Sequence, residues 1–276
     1  VTEPGPPVEL TDRARGFVAD VDALIPGLLV AVHLTGSGAS GDWQHDSDID
    51  LVFETSRFVT VVDAKVLVGL HAATAAAGHC VDGIYLTAGQ VASGPDGIPS
   101  APQVVSGDFG MARPDGQLTW VTWLEMLHGP AARVNAGRLG SWSKEERDVD
   151  TASAVSELAS AASRDNLRSY WMPYASDTAA RLTARSDDDT VPAEAVEWLA
   201  LGAQRLVVTI ETGRVVSKSA AAEFAARRWP EYSELLTRVL ASRRGEAQQG
   251  AARPFTVRDA RLAAALVLDC VALADC

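Results

Sequence analysis

Cysteines, basic residues and long apolar runs are scarce in this sequence, and each shortage removes a class of protein. There are three cysteines, Cys80, Cys270 and Cys276. An odd count with no C-x-x-C pair argues against a disulfide framework or a structural zinc site and suits a reducing compartment. Lysine and arginine number 24 against 36 acids, a formal net charge of −12. No basic block interleaved with aromatics offsets that balance, so a nucleic-acid surface is not expected. The most apolar tract, Leu262 to Ala274, carries Asp269, and the opening VTEPGPPVEL is acidic and proline-rich where a signal peptide would be basic and then apolar. Neither export nor a membrane span is expected, and the expected location is the cytoplasm. No internal repeat is present.

What remains is ample for a core. The 276 residues are 47% hydrophobic and 22% charged, enough for one large domain or two smaller ones. The pattern changes near residue 150. Before it, helix-like and strand-like runs alternate: helix at Thr11 to Leu24, strands at Leu28 to Leu34 and Asp48 to Glu54, helix at Val59 to Ala77, strand at Cys80 to Thr87. After it, Thr151 to Tyr170, Ala193 to Ile210, Ser219 to Arg228, Tyr232 to Arg243 and Val257 to Ala274 carry apolar residues at helical spacing. Thr87 to Gly116, dense in Gly, Pro and Ser, reads as a loop, and Gly137 to Ser143 as the connection between the halves.

Within VHLTGSGASG, residues 32–41, stands a literal G-x-G-x-x-G after a strand-like run, and a second strand follows that ends in Glu54. That is the layout of a dinucleotide-binding turn. Its geometry fails. Only six residues, 42–47, separate Gly41 from the second strand, whereas a crossover to a parallel neighbour needs about a dozen residues or more. A strand, a phosphate-holding turn, a stub of helix and an adjacent strand do fit. Asp48 and Asp50, two apart on one strand, share a face, and Asp82 shares a face with Cys80, Ile84 and Leu86 on another. Three converging carboxylates at a glycine turn suit two-metal phosphoryl transfer.

These residues also carry a resemblance. Gly36-Ser37, ten residues, then Asp48-x-Asp50 within Ser47-Asp-Ile-Asp-Leu resembles the nucleotidyltransferase signature of the DNA polymerase beta superfamily. Downstream, LGAQRL at 201–206 and TIETGRVVSKSAAAE at 209–223 resemble the C-terminal helical domain of streptomycin/spectinomycin adenylyltransferases. The resemblance runs from about Ala31 to Arg244 and implies an α+β chain. A nucleotidyltransferase domain with a mixed sheet would occupy residues 1–147, and a helical bundle closing the active-site cleft would occupy 148–276. It further implies that Gly36 and Ser37 hold nucleotide phosphates, with Ser47 completing the signature. Asp48 and Asp50 would bridge two Mg²⁺ ions, and Asp82 would be the third carboxylate and general base, where the family's resistance enzymes carry Glu. Arg205 and Lys218 would reach the triphosphate of ATP.

The expected activity is Mg²⁺-dependent transfer of AMP from ATP to a hydroxyl of a small, cationic acceptor such as an aminocyclitol, by a monomer. Where the drug-modifying members hold the acceptor with acidic and histidine side chains, this chain has Val191, Ala195 and Trp198, with Glu194 and Glu197 nearby. Trp120 or Trp123 offers a stacking wall. Modification of a protein or RNA, or nucleotide or drug binding without turnover, stays open. Other eye-catching residues read as structure: His33 and Cys80 as packing on core strands, Trp171, Trp198 and Trp229 as helix packing, and Ser186 to Asp189 as a solvated loop.

Overall fold

The computed structural model describes residues 5–112, 117–144, 149–245 and 253–274. Cys276, the boundary expected at 147/148 and the end of the expected loop at Gly116 lie outside the described residues. The chain forms two compact units, Val1–Ser156 and Glu157–Cys276.

The first unit is built on a mixed sheet. Its strands are β1 (Leu29–Leu34), β2 (Ile49–Thr55), β3 (Val81–Thr87), β4 (Ala101–Val105), β5 (Asp108–Ala112), β6 (Ala131–Asn135) and β7 (Arg138–Leu139), in the order β5-β4-β3-β2-β1-β6-β7. Every neighbouring pair is antiparallel except β2 and β3. That parallel pair needs a crossover, and α3 (Val61–Ala76) supplies it, opened by a reciprocal capping box between Thr60 and Asp63. The link from β1 to β2 holds only the four-residue α2 (Gly36–Ala39), and the two strands run antiparallel. The short connection could not have carried a dinucleotide-type crossover.

Alternation along β2 divides the core. Ile49, Leu51 and Phe53 pack with Phe17 of α1 (Val8–Leu24) and Leu67 of α3, while Val52 joins Ile84, Trp123 and Met126 on the opposite face, under α5 (Trp120–His128). Phe53 stacks on Tyr85 with ring centroids 4.5 Å apart, and the Tyr85 hydroxyl donates to Nε2 of buried His71 at 2.7 Å. Truncating Phe53 to Ala would cost about 3–5 kcal/mol, the range for a buried aromatic.

Two stretches read as loop or linker hold regular structure among their described residues. Thr87 to Gly116 contains α4 (Ala88–Ser93), started by a Thr87/Gln90 capping box, and the β4–β5 hairpin. Ser106 and Gly107 form its turn with φ of +51° and +79°, the left-handed pair that a two-residue hairpin turn requires. Capping and turn residues hid these short elements behind a loop-like composition. Gly137 to Ser143 likewise belongs to the sheet: it includes β7, and Ser143 exchanges two 2.8 Å backbone hydrogen bonds with Ala131.

Helices make up the second unit. After α6 (Val149–Asn166) come a π turn (Leu167–Trp171), α7 (Met172–Leu182), α8 (Ala193–Thr212), α9 (Lys218–Arg228), α10 (Ser233–Arg243) and α11 (Val257–Ala274). Leu199 and Val207 of α8 meet Val239 of α10 and Leu266 and Val267 of α11 in its core. The sequence pattern did not announce α7. Pro173 falls in its first turn, where a missing N–H costs nothing. Trp171 is buried as expected, its ring so near Gly202 that a Cβ there would stand 2.1 Å from it. Trp198 packs its ring 5.6 Å from that of Trp171 at the edge of the bundle, where it is 46% exposed and its indole N–H donates to the Tyr170 hydroxyl at 3.1 Å. Among the described residues no helix is long and apolar enough to cross a membrane.

Candidate functional site

The Gly-Ser turn and the acids of β2 meet through the shortness of their connection. Thr35 N–H donates to Asp50 O at 3.0 Å, which seats the turn on the start of β2. Gly36 adopts φ +57°, and a Cβ on it would lie 2.0 Å from Asp50 Oδ2. Glycine is required there twice over, by conformation and by the approach of the carboxylate. Ser37 follows in α2, and Ser40 Oγ donates to Gly36 O at 2.9 Å, which fixes the turn from its far side. Ser47 closes a tight turn of its own, accepting from Gln44 N–H on its hydroxyl at 3.1 Å and donating its N–H to Gln44 O at 2.9 Å. It shapes the approach to Asp48.

The parallel register brings Asp50 directly opposite Asp82. Asp48 is exposed at the entry to β2, Asp50 half-buried and Asp82 buried. Asp82 is anchored: its carboxylate accepts from Ser106 N–H at 2.6 Å and Gly107 N–H at 3.3 Å, so it caps the β4–β5 turn. Burial raises its pKa above the usual carboxylate value, the two turn amides oppose that rise, and the charge of Asp48 adds to it. Cys80 feels the same field. Burial pushes its thiol up, and the charges of Asp48 and Asp82 and a hydrogen bond to Asp48 push it further.

Asp82 therefore feels the charge of Asp48 and stands in register with Asp50. Among the described residues no group of three or more His, Cys, Asp or Glu is arranged to hold a metal ion. Of the three carboxylates expected to hold metal, Asp82 directs its oxygens to the hairpin amides in this structure. Asp48 and Asp50, two residues apart where β2 begins, are oxygen donors of the kind that a hard divalent cation takes.

Arg205 and Lys218 belong to the second unit. Arg205 Nε donates to Val216 O at 2.9 Å and so ties α8 to the segment leading into α9. Lys218 is the first residue of α9, behind an N-cap in which Ser217 Oγ accepts from Ala220 N–H at 3.0 Å. Of the acceptor candidates, Glu197 accepts from Ser242 Oγ at 2.9 Å, Glu194 is exposed, and Val191 packs against the helical core.

Trp120 and Trp123 line a cavity of about 380 Å³ in the first unit, together with His33 and Glu54. His33 had read as a packing residue. It is only 4% exposed, its Nε2 stands 3.4 Å from Glu54 Oε2, and its Nδ1 is buried with no hydrogen-bond partner among the described residues. A histidine at an alternating strand position across from Glu54's strand was the available signal, and strand pairing alone could supply the rest.

No family model matches this chain, and no curated protein matches it in sequence. Among solved structures, its fold is similar to that of spectinomycin adenyltransferase AAD(9) from Enterococcus faecialis, crystallised with ATP and spectinomycin. The TM-score is 0.51 over 96% of this chain and 98% of that one, at 13% sequence identity. The likeness is one of fold, along nearly the whole length of both chains.

Proposed function

We propose that the chain is a Mg²⁺-dependent nucleotidyltransferase that moves a nucleoside monophosphate, AMP from ATP in the first instance, to a hydroxyl of a small molecule. The observation that carries this reading is the close fit of Gly36 to Asp50, with Asp50 in register with Asp82, in a fold shared with an adenyltransferase. Gly36 and Ser37 orient the phosphates through backbone N–H groups and a hydroxyl. Asp48 and Asp50 would hold Mg²⁺, which when bound neutralises triphosphate charge. Asp82 accepts the proton of the acceptor hydroxyl. Its burial makes it more basic than an exposed aspartate, and each oxygen keeps a lone pair beyond the one given to a turn amide. The hydroxyl oxygen forms a bond to the α-phosphorus, the bond to the bridging oxygen breaks, and pyrophosphate leaves. Arg205 and Lys218 are proposed as its cationic contacts, on the sequence resemblance.

The acceptor is proposed to be spectinomycin-like rather than streptomycin-like. Guanidinium cations need buried carboxylates, and Glu197 is already engaged by Ser242 while Val191 and Ala195 offer none. The test is incubation of the purified chain with Mg²⁺ and each labelled NTP against aminocyclitols and aminoglycosides, a protein extract and tRNA. Label from ATP on a small hydroxylated acceptor is expected. Label on a protein or RNA band, or on nothing, would overturn the proposal.

A further inference from the structure

The cavity beside His33 lies on the sheet face that carries Asp50 and Asp82, but farther along the strands. Glu54 is four residues beyond Asp50 on β2, about 13 Å at roughly 3.3 Å per residue. Between them that face is filled: Val52 and Ile84 are each 1% exposed beneath Ile98, Leu118, Trp123 and Met126. The cavity is a separate feature.

Its walls are apolar. Val91, Trp123, Met126 and Val155 contribute side chains to it, and both tryptophan N–H groups are spent elsewhere, Trp123 on Val91 O at 2.9 Å and Trp120 on the Asp96 carboxylate at 3.1 Å. Arg133 is exposed, as are Ala88, Ala92 and Ser93 at the rim. Of the lining groups that are not exposed, Glu54 contacts His33 Nε2, and the buried polar atom without a hydrogen-bond partner among the described residues is His33 Nδ1. An ionised carboxylate only accepts, so the contact with Glu54 assigns the ring proton to Nε2 and leaves Nδ1 a bare acceptor. An unpaired buried acceptor is costly, and native structures rarely keep one without a use. The volume lies in the range of small-molecule pockets.

We propose that this cavity is a ligand site for a small, flat heteroaromatic or phenolic molecule that stacks on the tryptophan walls and donates one N–H or O–H hydrogen bond to His33 Nδ1. The carboxylate of Glu54, which contacts Nε2 of the same ring and lines the cavity, disfavours an anion. The site does not depend on nucleotidyl transfer and is tested without nucleotide.

The probes are indole, which is flat and carries one N–H, and 1-methylindole, which lacks the donor. Titration of the full chain followed by imidazole ¹⁵N NMR should show indole moving the His33 Nδ1 resonance, with 1-methylindole binding about tenfold more weakly, the worth of one hydrogen bond to a buried acceptor. Equal affinity for the two, or no binding of indole, overturns the proposal. Ala131 sits opposite His33 in the β1–β6 register and lines the cavity. Ala131→Leu should fill the space and abolish indole binding, and binding that survives it places indole elsewhere and overturns the site. His33→Leu should erase the preference for indole over 1-methylindole, and a preserved tenfold preference counts against it. If that variant does not fold, the two-probe comparison on the unaltered chain still decides.

Discussion

Gly36 and Asp50 touch across the β1–β2 connection so closely that any side chain at 36 would occupy the space of the Asp50 carboxylate. Gly36→Ala therefore carries two separable penalties. The left-handed φ costs about 1–2 kcal/mol for a residue with a Cβ, and the overlap with Asp50 adds to it. Denaturant unfolding should show Gly36→Ala destabilised by at least the first amount, and Asp50→Ala in the same background should recover only the second. Full recovery would mean the backbone is unstrained.

Asp50→Asn and Asp82→Asn should fail differently. The first removes a negative charge from a crowded acidic corner; the protein stays folded and transfer falls by a hundredfold or more, read by label incorporation. The second leaves one oxygen to serve two turn amides, so it should cost about 1–3 kcal/mol of stability as well as activity. Equal unfolding midpoints for the two variants would remove Asp82 from its capping role.

Lys218→Ala should weaken ATP binding by about 1–3 kcal/mol, the range for a charge-assisted hydrogen bond, and leave AMP binding nearly unchanged. Calorimetry with both nucleotides checks this. An equal loss for ATP and AMP would take Lys218 off the triphosphate.

His71 sets an acid limit on the fold. Burial lowers its pKa to about 4 from 6.5, partly offset by the 2.9 Å bond from its Nδ1–H to Val81 O. The unfolded chain takes up a proton below pH 6.5 that the folded chain refuses until about pH 4, so stability falls as pH drops through this window. Between pH 7.5 and pH 5 the loss from this residue should be about 2 kcal/mol. Urea titrations at the two pH values should show it, and His71→Phe should flatten the difference.

Much of the carboxylate site could be read from the chain because it is local. Gly36 to Asp50 is one short connection, and a period of two places alternate residues of a strand on a common face whatever the fold around them. The pairing of Asp50 with Asp82 follows from the same alternation once the strands are adjacent. Less local features stayed hidden. The turn amides that hold Asp82 come from 24 and 25 residues later, within a stretch whose Gly, Pro and Ser content masked a helix and a hairpin. His33 meets Glu54, and shares a cavity with Trp123, only through strand pairing and the return of α5. Trp198 shared the apolar period of α8 but lies at the edge of the core, half exposed against Trp171.

The direction of the strands also sets the order in which the fold assembles. β1 and β2 form an antiparallel pair across a short connection, so the Gly36–Asp50 contact closes a small loop at little entropic cost. The β2–β3 pair is parallel and waits for all of α3 to form and dock before Asp82 can reach its register. Folding kinetics should therefore divide the carboxylates: conservative substitutions around the Gly36 turn should slow refolding, whereas those at Asp82 and the Ser106–Gly107 turn should mainly speed unfolding.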